Sequence, residues 1–155
     1  MIWGERGLIV RRLIAGTLIA MSLMALLTGC GPSPARLDLS GHWEGQVVGK
    51  QGDEFSGISY QFDLYLTQEG NSLTGSITMG NALFAISVPI THGVVDQLDK
   101  SVVIDAEGEV SLFGTTKNVS FHLTGSASNT EMSGDCLYEI EDEVHNFTWQ
   151  VYRKR

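Results

Sequence analysis

Four histidines are the side chains in this sequence best suited to metal binding or to acid–base chemistry near neutral pH. Two of them, His122 and His145, fall in stretches that alternate apolar and polar residues, and neighbouring strands could bring them together. If both rings faced inward, they would form a metal-binding or acid–base pair. Neither this pair nor His42 and His92 matches a His-Glu-x-x-His motif or a two-cysteine metal pattern. We therefore expect surface or hydrogen-bonded histidines, with no metal and no cofactor.

Carboxylates are plentiful, and two stretches concentrate them. Asp105, Glu107 and Glu109 alternate around Gly108, an arrangement that could form a loose Ca²⁺ site, and residues 141–143 are a second acidic stretch. Neither stretch spreads its ligands over a long loop as an EF-hand does. The sequence also contains no Gly-x-Ser-x-Gly or Ser-x-x-Lys motif for nucleophilic catalysis. We therefore expect solvated charges at turns, no catalytic residues and no enzymatic activity.

The N-terminal residues have the layout of a secretory signal. Three arginines precede an uncharged apolar run over residues 13–27. The run suits a signal-peptide core and is short of the ~20 residues that a membrane-spanning helix needs. Leu27-Thr28-Gly29-Cys30 follows, and it resembles the lipobox of bacterial lipoproteins, in which the cysteine is lipidated and becomes the new N-terminus. The resemblance implies a helical signal peptide over residues 1–29, a palmitate-type lipid on Cys30 and a lasting membrane anchor.

Residues 30–39 contain two prolines and small polar residues, and this composition predicts an extended tether after the lipidated cysteine. Gly31 follows Cys30 and, by resemblance to enterobacterial sorting signals, favours the outer membrane, facing the periplasm or the cell surface. From residue 30 onwards the chain carries 7 basic and 17 acidic residues, a net charge of −10. That charge repels nucleic acid. The expected partners are therefore the membrane, through Cys30, and no nucleic acid.

From residue 40 onwards, apolar residues recur at every second position, as in half-buried strands. Residues 58–66 are the clearest example. Turn-forming stretches, such as residues 69–72 and 105–108, recur at about ten-residue spacing. Pro89 cannot donate to a strand ladder and indicates an edge or a bulge. We predict an all-β domain over residues 40–155: an antiparallel up-and-down barrel of eight to ten strands, since closure removes exposed edges.

Both ends of this domain carry a family resemblance. Gly41-His42-Trp43 opens it, and Arg153 lies on its last predicted strand. A Gly-x-Trp on the first strand with an arginine on the last resembles the lipocalin-like, or calycin, barrels. The resemblance assigns Gly41 and Trp43 to a plug at the closed end and Arg153 to a cap across the indole. The domain is shorter than a typical lipocalin and shows no C-terminal helix, so the alternative is that Trp43 is a core aromatic of another β fold.

The inward positions of the predicted barrel are mostly apolar, and Gly75 and Gly125 would leave space between the larger side chains. This composition suits a ligand pocket. We expect a non-enzymatic, lipid-anchored envelope lipoprotein that binds a small apolar or amphipathic ligand inside the barrel. The alternative is a structural or protein-interaction lipoprotein, an accessory or inhibitor subunit with an envelope protein partner, whose barrel is filled. An apolar cavity of ~300 Å³ or more would favour the ligand. The candidate ligand-binding residues are Tyr60, Phe62, Leu64, Phe121 and His145.

The second cysteine, Cys136, has no disulfide partner in the chain once Cys30 is lipidated. In an oxidising envelope, a free thiol is usually buried as a small apolar side chain. We therefore expect Cys136 to be buried.

Overall fold

Eight antiparallel strands form a closed barrel in the computed structural model, which describes residues 36–112 and 114–155. Each strand pairs with the next in the chain, and the last pairs with the first. This arrangement confirms the predicted all-β, up-and-down barrel and is compatible with a lipocalin-like fold. The predicted signal peptide and Cys30 lie outside the described residues. The strands are β1 (Gly41–Gly49), β2 (Ser59–Glu69), β3 (Ser72–Gly80), β4 (Ala85–Asp96), β5 (Ser101–Leu112), β6 (Thr115–Ala127), β7 (Glu131–Ile140) and β8 (Glu143–Arg153).

The two-residue periodicity of the sequence places apolar side chains inside the barrel. Along β2, Phe62, Leu64 and Leu66 are buried, whereas the side chains of Tyr65 and Thr67 face outward and are exposed. The same alternation holds along β8, from buried Phe147 to buried Val151. One apolar core therefore runs through the barrel.

The barrel closes where β1 pairs with β8. The register runs from Trp43 opposite Arg153 to Gly49 opposite Phe147. Every described strand consequently has two hydrogen-bonded neighbours, so none presents an unpaired edge. The first and last parts of the domain are thus fixed to each other.

The chain departs from the predicted turn at residues 105–108, which lies in the middle of a strand. β5 continues through it and pairs with β6 from Ser101 opposite Ser126 to Leu112 opposite Thr115. The turn-like composition arises because carboxylates occupy the outward positions, while Gly108 faces inward against Val88. The pairing of β5 with β6 extends as far as Leu112 opposite Thr115, beyond the predicted turn.

Pro89 marks a bulge in β4 and not an edge of the sheet. The pairing of β4 with β5 shifts its register between Ile90 and His92, directly after the proline. The pairing with β3 is also irregular between Ser72 and Ser76. Since proline offers no N–H to a neighbouring strand, the sheet bends where the ladder is weakest.

We call the end that holds Trp43 and Arg153 the lower end of the barrel, and the opposite one the upper end. At the lower end, Leu37 and Leu39 precede β1 and are buried. At the upper end, residues 50–58 connect β1 to β2; we call this segment the upper loop. No helix of the described residues has the length and apolar character needed to cross a membrane.

Candidate functional site

The middle of the barrel is filled by side chains that were predicted to bind a ligand. Phe62 and Leu64 have an exposed fraction of 0% and Phe121 of 1%. A side chain that faced a water-sized void would keep some exposed surface. The ring of Phe62 lies against those of Phe121 and Trp149, with centroids 6.3 and 6.5 Å apart. Aromatic packing therefore occupies the space in which a ligand was expected.

The two glycines expected to make room inside the barrel do not do so, since Gly75 is exposed and Gly125 is half-buried. A Cβ on Gly75 would lie 1.8 Å from the carbonyl oxygen of Tyr65, and one on Gly125 would lie 2.2 Å from that of Ser133. Both glycines let neighbouring strands approach closely, and Gly75 also has a φ of +137°. Both positions therefore allow close contact between strands, and neither widens a pocket as predicted.

Four depressions, with volumes of 290 to 550 Å³, lie on the described surface outside the apolar core. The largest covers the outer wall of β5, β6 and β7 and contains four glutamates. Lys117 forms an ion pair with Glu141 at 3.1 Å. No ion pair to a described basic residue reaches the other three: Glu107, Glu109 and Glu139. We call these three the acidic wall.

The lower end is closed by the residues that the calycin resemblance nominated. Trp43 is completely buried, and its indole N–H donates to the carbonyl oxygen of Leu39 at 2.8 Å. The guanidinium carbon of Arg153 lies 4.6 Å from the centroid of the indole. Gly41 has a φ of +131°, and a Cβ there would lie 3.4 Å from Arg153 Nη1. The arginine thus lies across the tryptophan ring and close to the glycine backbone.

Arg153 also binds the backbone around the lower end. Its Nη1 donates to the carbonyl oxygen of Ser40 at 2.6 Å and its Nε to that of Asn129 at 2.8 Å. A third hydrogen bond runs from Nη2 to the carbonyl oxygen of Asp38. One side chain therefore ties together the segment before β1, the turn between β6 and β7, and β8.

At the upper end, the ring of Phe55 in the upper loop lies over the barrel. Its centroid is 4.7 Å from that of His145, 6.0 Å from that of Phe147 and 6.3 Å from that of Tyr60. Tyr60 in turn lies 6.0 Å from Phe84. Phe55 and Tyr60 are only partly buried. The upper end is thus covered by one aromatic side chain carried on a loop.

His145 lies beneath the upper loop and faces three carboxylates. Its side chain is 7% exposed, and Nδ1 lies 3.4 Å from Asp53 Oδ1. Nε2 lies 3.6 Å from Glu54 Oε1 and 4.0 Å from Glu143 Oε2. These residues line a depression of 430 Å³. The buried imidazole therefore opens towards solvent only through a group of acidic side chains.

Asp53 fixes the upper loop to β8. Its Oδ2 accepts a hydrogen bond from the backbone N–H of Asn146 at 2.7 Å, and its Oδ1 accepts one from that of Phe55 at 3.1 Å. These two hydrogen bonds, Asn146 first, lower the pKa of Asp53 below its ordinary value of 3.8. A carboxylate held in this way stays ionised next to His145.

The pair of His122 and His145, which required both rings to face inward, is not formed. His122 faces outward from β6 and is half exposed, and its Nδ1 lies 2.5 Å from Asp105 Oδ1. His145 faces inward from β8. The two rings lie on opposite sides of the barrel wall, because their positions in the alternating pattern have opposite phase.

A second histidine–carboxylate group lies on the outer wall near the lower end. His42 Nε2 is 3.0 Å from Asp63 Oδ1 and 3.7 Å from Glu44 Oε1. Lys154 forms an ion pair with the same Glu44. The ring of His42 stacks on Tyr65, with centroids 4.3 Å apart. This group contains its own basic partner.

Cys136 faces the core from β7 and is 1% exposed, as its sequence context suggested. Burial raises the pKa of its thiol to about 12, because desolvation disfavours the thiolate. No other cysteine is present among the described residues. Cys136 therefore behaves as an apolar core residue.

Sequence reasoning placed His145 on an inward position but missed its neighbours Asp53 and Glu54, which lie in an irregular loop far away in the chain. Their only sequence signal is an aromatic residue, Phe55, set among polar and glycine residues.

Comparison with protein-family models, curated proteins and solved structures finds no match.

Proposed function

We propose that this protein is a lipid-anchored envelope protein without enzymatic activity that binds a protein partner through the outer wall of a filled barrel. The observation that carries the proposal is the packed interior: Phe62, Leu64 and Phe121 have almost no exposed surface. A barrel filled in this way presents its surface, and not a cavity, for recognition. A role as an accessory or inhibitor protein would use the barrel in this way.

The acidic wall suggests the chemistry of the partner. Glu107, Glu109 and Glu139 border a surface depression of 550 Å³, and no described basic residue forms an ion pair with them. Glu107 on β5 and Glu139 on β7 both lie opposite Ser120 in the sheet register, so the two carboxylates flank β6 in one row. A partner with lysine or arginine side chains would complement this row and approach faster by electrostatic steering.

Affinity purification of the full lipidated chain in detergent tests this role. The variant Glu107→Gln/Glu109→Gln/Glu139→Gln removes the acidic wall. The matched control Glu69→Gln/Asp99→Asn/Asp142→Asn removes the same charge from exposed positions elsewhere. We expect a partner to be retained by the wild type and the control but lost by the acidic-wall variant. Equal recovery with all three proteins contradicts the proposal.

The membrane anchor is the second component of the proposal. It rests on the resemblance of Leu27-Thr28-Gly29-Cys30 to a lipobox, and the outer membrane is favoured by Gly31. We expect Cys30→Ala to lose labelling by a palmitate analogue and to leave the membrane fraction, whereas Cys136→Ala keeps both. A Cys30→Ala chain that stays labelled contradicts lipidation at this residue.

A second candidate function is the binding of a small apolar or amphipathic ligand at the upper end. It is favoured by the incomplete burial of Phe55 and Tyr60. Movement of the upper loop would uncover Tyr60, Phe147 and His145, which Phe55 now covers. Native mass spectrometry of the lipidated protein separates the two functions. A stoichiometric small molecule that is lost in Phe55→Ala supports the ligand, and its absence together with a bound protein supports the outer wall.

A further inference from the structure

At the upper end, two carboxylates and an imidazole lie close together, and they belong neither to the filled core nor to the acidic wall. We propose that Glu54, Glu143 and His145 form a binding site for a divalent transition metal ion of the Zn²⁺ type. The imidazole Nε2 and one oxygen of each glutamate all lie within 4.8 Å of one another. This inference is independent of the proposed interaction with a partner.

The spacing of the three atoms suits a tetrahedral ion. Ligand atoms that lie ~2.0–2.1 Å from Zn²⁺ in tetrahedral geometry are about 3.4 Å apart. Nε2 of His145 lies 3.6 Å from Glu54 Oε1 and 4.0 Å from Glu143 Oε2. Both glutamate side chains are largely exposed, 62% and 77%, and can rotate inward by the small distance required.

The buried imidazole is the observation that distinguishes this site from a plain acidic cluster. The His145 side chain is 93% buried, since only 7% is exposed, and among the described residues Nε2 has no hydrogen-bond partner. Nε2 is directed into the depression that Glu54 and Glu143 line, and it keeps contact with solvent there, because no buried side-chain nitrogen or oxygen of the described residues lacks a hydrogen-bond partner. A metal ion that enters the depression can therefore reach Nε2 between the two carboxylates.

Asp53 completes the arrangement on the other side of the ring. Its Oδ1 lies 3.4 Å from Nδ1 of His145, and its side chain is 6% exposed. A histidine that ligates a metal usually donates its other ring N–H to a carboxylate, which fixes the tautomer and the ring orientation. The backbone N–H groups of Phe55 and Asn146 hold Asp53 in place. Asp53 is thus a positioning residue for the site.

The donor set selects the kind of ion. Imidazole nitrogen suits Zn²⁺, Ni²⁺ and Cu²⁺, whereas Mg²⁺ and Ca²⁺ prefer oxygen alone. Among the described residues, no lysine or arginine forms an ion pair with Glu54 or Glu143. The site therefore joins two carboxylates that have no described lysine or arginine partner to one imidazole nitrogen, and it leaves a coordination position for water.

The His42 group does not meet the same conditions. Nε2 of His42 already lies at hydrogen-bond distance, 3.0 Å, from Asp63, and Lys154 forms an ion pair with Glu44. An ammonium group thus occupies the position of a cation there. We therefore expect no metal ion at the His42 group, which is an internal control for binding at His145.

A bound ion would join two separate parts of the upper end. Glu54 belongs to the upper loop, and Glu143 and His145 begin β8. The ion would therefore hold the upper loop, and with it Phe55, against the barrel. Metal binding is expected to slow hydrogen exchange in residues 50–58.

Calorimetric titration of the full chain in detergent with Zn²⁺ alone tests the proposal. We expect one equivalent to bind, and the ring ¹⁵N resonance of His145 to shift on binding. Glu54→Gln/Glu143→Gln changes only exposed side chains and should weaken binding at least 100-fold. Asp53→Asn should weaken it about 10-fold, as loss of an outer-shell partner does. Glu44→Gln and His92→Gln are the matched controls and should bind as the wild type does.

Three results would overturn the site. They are the absence of a one-equivalent transition, unchanged affinity in Glu54→Gln/Glu143→Gln, or a loss in Glu44→Gln as large as in that double variant. Circular dichroism of each variant verifies the fold. His145→Gln serves as a further variant, because it removes the nitrogen and leaves both carboxylates in place.

Discussion

The two ends of the barrel are closed by different means. At the lower end, Trp43 is fully buried and Arg153 binds three backbone carbonyl groups across it. At the upper end, one partly buried ring, Phe55, lies on a loop above the core. Near the lower end, Glu44 pairs with Lys154, whereas no described lysine or arginine pairs with the carboxylates around His145. The barrel is therefore closed by a buried, hydrogen-bonded cap at one end and by a loop above a group of carboxylates at the other.

Truncation of the two covering rings should give the largest contrast. Trp43→Ala removes a fully buried indole with its hydrogen bond to Leu39, and we expect it to lower the free energy of unfolding by about 3–5 kcal/mol. Phe55→Ala removes a partly buried ring, with an expected loss of about 1 kcal/mol. Urea-induced unfolding in detergent measures both. Equal losses would contradict the difference between the ends.

Arg153→Lys tests whether the lower end depends on guanidinium geometry. Lysine keeps the charge but cannot reach the carbonyl oxygens of Ser40, Asp38 and Asn129 at once or stack flat on the indole. We expect a loss of about 1–2 kcal/mol in the same unfolding experiment. Lys154→Arg is the control at the neighbouring position. An equally large loss of unfolding free energy in that variant would contradict a specific role of the Arg153 guanidinium.

Acid should loosen the upper loop through Asp53. Its pKa is lowered in the folded state by the N–H groups of Asn146 and Phe55, so its contribution is present above its ordinary value of 3.8 and is lost as the pH falls through the folded value. We expect the exchange of these two amides, corrected for intrinsic rates, to rise below pH 4 in the wild type. In Asp53→Asn it should be fast already at pH 7. A pH-independent wild type would contradict this role.

Lys154→Gln should have the smallest effect on stability, but it tests why the His42 group and the His145 group are expected to differ in metal binding. The ion pair with Glu44 is on the surface, and such pairs contribute little. We therefore expect no measurable change in urea-induced unfolding. Without the ammonium group, the His42 group should resemble the His145 group, so a second, weaker equivalent of Zn²⁺ should bind in the calorimeter. A single equivalent would show that Lys154 is not what excludes an ion there.

The fold was predictable because each strand buries one face. The alternation predicted for residues 58–66 appears in β2 at Phe62, Leu64 and Leu66, whereas Ile58 lies before the strand and is exposed. Asp63, at an outward position, is also buried. The error at residues 105–108 has the same origin: when outward positions carry carboxylates and an inward one is Gly108, a strand has the composition of a turn. Periodicity reports which face is buried but not where the chain reverses.

The site was predictable only where it lies on strands. The inward position of His145 follows from the phase of β8, whereas Asp53 and Glu54 reach it from a loop without periodicity. Whether the core is hollow was also beyond the sequence. That property depends on how the rings of Phe62, Phe121 and Trp149 interlock in space, and a linear pattern does not contain this information.

The seam between β1 and β8 has a kinetic consequence. The hydrogen bond from Arg153 to Ser40 joins positions 113 residues apart, so the cylinder is completed by one of the most distant encounters in the domain. Until β1 and β8 pair, each of these strands would expose unpaired backbone N–H and C=O groups to neighbouring molecules. Renaturation is therefore expected to be slow and to succeed best in dilute solution, where self-association does not compete with ring closure.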